Sequence, residues 1–212
     1  MKRINFKSLV LILALVISGI SSFAAKVYYV CSGETFTIKA GEASATGMTY
    51  DWTGASLSSS VTTYNLVAIA PTITAGGAYQ TLTYSLTVTE NGCPSTPETF
   101  TVYVLPPIQV DITGADAVYC SDVAISDVLT ATVLNPEVTD LPPGVAANVY
   151  AWTGTATGSA ATLSITAVGT YDVTVSYSLP TNDGSKVGLC DATDELTITT
   201  TTPPTIPTIS FE

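Results

Sequence analysis

Four cysteines, 17 carboxylates and no histidine make up most of the chemistry-bearing side chains of this chain, whose six cations are all lysine or arginine. Without histidine, general acid–base catalysis falls to carboxylates, tyrosine or lysine. The acidic residues are scattered and form no recognisable catalytic motif. A carboxylate pair of the glycosidase kind, assembled only in space, is the one enzymatic arrangement left open, and the expectation is a protein that is not an enzyme. The densest oxygen-rich stretch is Asn182-Asp183-Gly184 followed by Asp191, Asp194 and Glu195 around Cys190. Ca²⁺ takes loop carboxylates of this type. The spacing does not continue as an EF-hand loop, and Asn-Asp-Gly is equally a solvated turn. Asp183, Asp191, Asp194 and Glu195 are therefore weak calcium candidates, and the expected metal and cofactor set is none.

The compartment decides what the cysteines do. Lys2, Arg3 and Lys7 precede an apolar run, Leu9 to Ile17, and Ser22-Phe23-Ala24 ends in small residues. That is the layout of a signal peptide over residues 1–24, cleaved after Ala24. A retained anchor fits less well, because Ser18, Gly19, Ser21 and Ser22 dilute the second half of the stretch. Tyr28-Tyr29-Val30 before Cys31 is not the small-residue context of a lipoprotein. No later run is apolar enough to cross a membrane, so the mature chain is expected to be secreted or at the cell surface, with the periplasm as the alternative.

Cleavage sharpens the charge. Lys26, Lys39 and Lys186 remain against all 17 acidic residues, a formal charge of −14 with no arginine. Such a chain repels nucleic acid and anionic membranes, whose binding depends on cations displacing counterions. Cys31, Cys93, Cys120 and Cys190 have neither the close spacing nor the histidine of a zinc site, and in an exported chain they read as two disulfides. Three connectivities are open. Two copies that fold as separate units favour Cys31–Cys93 and Cys120–Cys190, each closing a loop of roughly 60–70 residues and contributing on the order of 4 kcal/mol by chain entropy.

The elements that would carry these groups repeat. Tyr50-Asp51-Trp52-Thr53-Gly54 returns as Tyr150-Ala151-Trp152-Thr153-Gly154, with Cys31-Ser32 and Cys120-Ser121 upstream. Gly77-Ala78-Tyr79 and Gly169-Thr170-Tyr171 each open an alternating stretch, a second cysteine follows in each copy, and each copy closes on another alternating strand. Leu105-Pro106-Pro107 joins the copies and Thr202-Pro203-Pro204 repeats the punctuation. The expected organisation is a first β domain over 25–105, a second over 108–202, and a Pro/Thr-rich tail over 203–212. Alternation of period two, as in Thr35-Phe36-Thr37-Ile38-Lys39, puts apolar residues on one face of a half-buried antiparallel strand. No window holds an amphipathic helix of three turns. Two sheets hiding their apolar faces against each other make an all-β chain of two tandem antiparallel sandwiches.

Trp52 and Trp152 could stack on sugar rings, but their equivalent positions favour core filling. Tyr50 and Tyr150 are expected in the core beside them, and Tyr64 and Tyr79 are the loop aromatics more open to a ligand.

The run Cys31-Ser32-Gly33-Glu34, then Tyr-x-Trp-x-Gly, Gly-x-Tyr-x-x-x-x-Tyr and Gly92-Cys93 resembles the PKD-like and Ig-like repeats of secreted Bacteroidetes surface proteins. Residues 27–104 match best, and 117–200 match with a longer insert from Leu134 to Gly144. The chain departs from antibody-type domains: 21 residues separate Cys31 from Trp52 and 32 separate Cys120 from Trp152, and no tyrosine stands two before the second cysteine. The Asp-Phe-Gly-Asp-Gly run typical of PKD domains is missing after Trp52 and Trp152. The resemblance implies a non-catalytic structural or adhesive module, a spacer or protein-interaction domain that meets a protein partner or itself at the cell surface. A carbohydrate-binding module is the alternative. Residues 206–211 could add as an edge strand to a neighbour, against which Pro207 counts.

Overall fold

A computed structural model describes residues 26–40, 47–55, 57, 61–180, 186–187 (backbone alone) and 190–205. The expected signal peptide, the Asn182-Asp183-Gly184 turn and residues 206–212 of the tail lie outside them.

The first sandwich contains β1 (Lys26–Cys31), β2 (Thr35–Lys39), β3 (Met48–Gly54), β4 (Asn65–Ile69), β5 (Gln80–Glu90), β6 (Cys93–Pro94) and β7 (Glu98–Leu105). One layer runs β1-β7-β5-β3, with β6 folded back on β5, and the other is the β2–β4 pair. The alternation seen in the sequence sets the layers facing: Phe36 and Ile38 of β2 and Leu82, Tyr84 and Leu86 of β5 are buried, while Thr35, Thr37 and Lys39 are exposed. Trp52, Phe100, Leu66 and Val102 fill the space between.

The second sandwich contains β8 (Gln109–Thr113), β9 (Val118–Cys120), β10 (Asp127–Asn135), a 3-10 turn (Val138–Asp140), β11 (Ala146–Gly154), β12 (Thr162–Ile165), β13 (Gly169–Ser178), β14 (Lys186–Val187) and β15 (Ala192–Thr201). Its layers are β9-β15-β13-β11 and β8-β10-β12. Strand for strand, β1, β2, β3, β4, β5 and β7 correspond to β9, β10, β11, β12, β13 and β15. In each copy the short strand, β1 or β9, lies parallel to the long closing one, β7 or β15, and the other pairs within a copy are antiparallel.

The repeated Trp-Thr-Gly has one cause in both copies. Trp52 and Trp152 point into the core, and each pairs by its backbone with the segment that follows, donating to the carbonyls of Val61 at 2.9 Å and Gly158 at 2.8 Å. Two residues on, Gly54 and Gly154 have φ of 135° and 94°. A Cβ on either would run into the carbonyl oxygen of Thr83 or Thr170 on the partner strand. Those same carbonyls accept from Ala55 and Thr155 at 3.0 and 2.9 Å. Glycine therefore lets each strand end against its neighbour. The register also corrects one correspondence. Tyr84 faces Gly54 and Tyr171 faces Gly154, so Tyr84, not Tyr79, is the counterpart of Tyr171.

The cysteines do not pair within copies. The disulfide joins Cys31 to Cys190 across the two sandwiches, and Cys93 and Cys120 are free and exposed. The expected Cys31–Cys93 and Cys120–Cys190 bridges fail on strand length. Cys31 lies opposite Leu105, at the Gln80 end of β5, whereas Cys93 pairs with Glu90 at the other end. At about 3.3 Å per residue that is roughly 30 Å, against a bridging limit of about 7 Å between Cα atoms. Cys120 lies opposite Thr201, and Cys190 precedes Ala192, so the whole of β15 separates them.

Candidate functional site: the junction between the sandwiches

β1, β7 and the start of β5 bring one end of the first sandwich to the second. Leu105 and Pro106 of the connector are buried. The Tyr177 hydroxyl, at the end of β13, donates to the Pro106 carbonyl at 2.8 Å in a buried position, and burial pushes its pKa well above the ordinary tyrosine value. Beside it Cys31 and Cys190, both buried, stand 5.4 Å apart at Cα. The chain leading to Cys190 also lays β14 parallel along β1, with Tyr29 opposite Lys186 and Val30 opposite Val187. The second sandwich thus adds a strand to the edge of the first.

A second contact lies across the junction. The Tyr79 amide donates to the Asp140 carbonyl of the 3-10 turn at 2.9 Å. Tyr103 sits between Tyr29 and Tyr79, with ring centroids 5.8 and 5.7 Å away. Burial, with Tyr103 nearby, raises the Tyr29 pKa. Tyr29, Cys31 and Leu105 belong to the same buried cluster as Trp152, Tyr171 and Ile198, so the core of the second sandwich runs into the end of the first. Such continuity replaces the free linker that otherwise lets tandem domains move.

The expected site residues are distributed elsewhere. Trp52 and Trp152 are 0 and 2% exposed, and their indole N–H groups donate to the carbonyls of Thr63 at 3.1 Å and Ala160 at 2.8 Å. Tyr50 is buried and Tyr150 half-buried against the second core. Tyr64, half-buried, packs edge-on against Tyr50 with centroids 5.3 Å apart. Neither tryptophan offers a face to a ligand.

Of the calcium candidates, Asp183 lies outside the described residues. The Asp194 carboxylate accepts from the Ile112 amide at 2.8 Å, tying β15 to β8. Glu195 is exposed, on the opposite face of β15 by strand alternation. Among the described residues no three acidic, cysteine or histidine side chains gather as a metal site. A different carboxylate is held by tyrosine. The Tyr119 hydroxyl donates to Asp127 at 2.8 Å, and this bond, with the Val128 amide, lowers the Asp127 pKa. An apolar cleft of about 460 Å³ lies beside the 3-10 turn, between Val133, Pro136, Val138 and Leu141. It has no aromatic wall.

Sequence reasoning missed the crossing disulfide and β14. The signal was length: residues 179–191 link β13 to β15, whereas 91–97 suffice between β5 and β7. The additional chain is what reaches back to the first sandwich.

No family model matches the chain, and no curated protein does. Solved structures do match. The amphioxus IgVJ-C2 molecule is 14% identical over 81% of this chain and 99% of its own, with a TM-score of 0.34. The fibronectin(III)-like modules of Clostridium thermocellum CbhA are 12% identical over 84% and 93%, with a TM-score of 0.41. The N-terminal four Ig domains of Dscam1 isoform 1.9 are 12% identical with a TM-score of 0.32, and the chain spans 44% of their length. At these values the likenesses carry no functional argument, and the sandwich assignment stands on the strand pairing above.

Proposed function

We propose that the chain is a non-catalytic module of an exported protein, a stiff spacer or protein-interaction strut at the cell surface, in the manner of the PKD-like and Ig-like repeats it resembles. The observation that carries this is the Cys31–Cys190 staple with β14 laid along β1. A covalent link, a shared strand and a shared core at one junction serve to hold two sandwiches at a fixed angle. A chain whose domains act independently has no use for them. The disulfide also supports an oxidising, extracytoplasmic location. The glycan-binding alternative is less well supported, because both tryptophans are buried and the apolar cleft lacks a ring on which a sugar could stack.

Small-angle scattering of the mature chain tests the strut. Two sandwiches held end to end give an elongated particle of fixed maximum dimension, unchanged by salt. A compact globule, or a profile that broadens as a flexible pair does, would overturn the proposal.

A further inference from the structure

We propose that the far end of the second sandwich is a docking site for another copy of this chain, joined head to tail by a disulfide between Cys120 and Cys93 of the next copy. The inference deepens the strut proposal and rests on it, since it extends one strut into a row of them.

The template is the junction inside the chain. Cys31 and Cys120 hold the same place in their copies. Each ends a short strand parallel to the closing one, opposite Leu105 and Thr201. The next residues, Ser32 and Ser121, donate to those partners' carbonyls at 3.0 and 2.9 Å, and each cysteine carbonyl accepts from the amide three residues on, Glu34 or Val123, at 3.1 Å. A proline pair follows each closing strand. The surroundings then differ. Cys31 is buried under Cys190, and β14 covers the edge of β1. Cys120 is an exposed thiol on β9, the outermost strand of its sheet, with Val118 of that strand 54% exposed.

The matching half is at the other end. Cys190 lies in the link between β13 and β15, and its counterpart is Cys93 in the link between β5 and β7, also an exposed thiol. Cys93 is at the end of the first sandwich away from the junction, and Cys120 at the end of the second away from it. About two strand lengths, on the order of 60 Å, lie between them, so one chain cannot bridge its own pair. Two different surfaces at opposite ends make a heterologous contact, which repeats along a row instead of closing. The link carrying Cys93 is too short to supply a strand like β14, and copies this acidic repel one another. The disulfide itself is therefore what holds the contact.

The bond forms by thiol–disulfide exchange. The Cys93 thiolate attacks a small or protein disulfide, R–S–S–R, releasing one R–SH. The Cys120 thiolate of the neighbour then displaces the second R–SH, so two thiols are oxidised as one disulfide is reduced.

Concentrated mature protein with its Cys31–Cys190 bond intact, in glutathione disulfide at about 0.15 M salt, tests this on a non-reducing gel. A ladder is expected, and its cross-linked peptide pairs Cys93 with Cys120. Cys93→Ser and Cys120→Ser proteins each stay monomeric, while their equimolar mixture gives dimers and nothing longer. Glutathione adducts without a ladder, or single variants that dimerise as readily as the mixture, would overturn the docking proposal. The scattering profile of the Cys93→Ser/Cys120→Ser protein reads the strut separately: an elongated monomer from that variant, with no ladder from the unsubstituted protein, sinks the docking alone.

Discussion

The hydroxyl of Tyr177 and the carbonyl of Pro106 meet at 2.8 Å inside the protein, so the end of strand β13 in one sandwich grips the connector that leads out of the other. Pro106 and Pro107 carry no N–H of their own, so the Pro106 carbonyl, buried here, needs a donor from elsewhere in the chain. Tyrosine supplies that donor from a strand 71 residues away. The connector is thereby part of the core.

Alkaline pH should loosen this grip. Burial raises the Tyr177 pKa above the ordinary tyrosine value of 10.0, so the folded protein keeps the proton that the unfolded chain gives up. Its contribution is complete below pH 10 and is lost as pH rises from there towards the folded pKa. Urea midpoints of the Cys93→Ser/Cys120→Ser protein, which cannot reshuffle through free thiolates, should fall as pH rises above the unfolded tyrosine pKa of about 10. Tyr177→Phe should flatten that fall and cost about 1 kcal/mol at neutral pH. An equally steep fall in the phenylalanine variant would place the titration elsewhere.

Gly54→Ala and Gly154→Ala should each destabilise by about 2 kcal/mol or more, since the left-handed backbone and the facing carbonyl oppose a Cβ together. Gly92, also at positive φ but with open space around it, is the control and should cost about 1 kcal/mol. Chemical denaturation of the three variants makes the comparison.

Removing the staple should cost more than a local bridge would. Cys31 and Cys190 are 159 residues apart in sequence, for which chain entropy gives about 5 kcal/mol. Both are buried, so Cys31→Ala/Cys190→Ala leaves no stranded hydroxyl. Calorimetry should show the single unfolding transition move down and divide in two. One undivided transition at the original temperature would mean that the shared core alone unites the sandwiches.

Much of the fold was legible in local pattern, because alternation and turn chemistry act within a few residues. Period-two stretches located Phe36, Ile38 and Leu82, and the repeated Tyr-x-Trp-Thr-Gly marked two equivalent strands. Cysteine pairing was not legible, because it depends on strand direction. Within each copy the two cysteines fall at opposite ends of a long strand, and sequence spacing alone does not show which end faces the neighbouring copy. The Tyr79–Tyr171 correspondence failed similarly: both follow a Gly-x, but only register shows that Tyr84 occupies the place opposite the glycine. The candidate carboxylates drew attention to the region around Cys190, whose described part serves the junction and, through Asp194, ties β15 to β8.

The most direct test is a disulfide map of the mature protein, made by digestion under acidic, non-reducing conditions with free thiols alkylated beforehand. A peptide pair containing Cys31 and Cys190, with Cys93 and Cys120 alkylated or joined to each other between chains, is the expected result. Pairs linking Cys31 to Cys93 and Cys120 to Cys190 would contradict it, and would return the chain to two separately stapled domains.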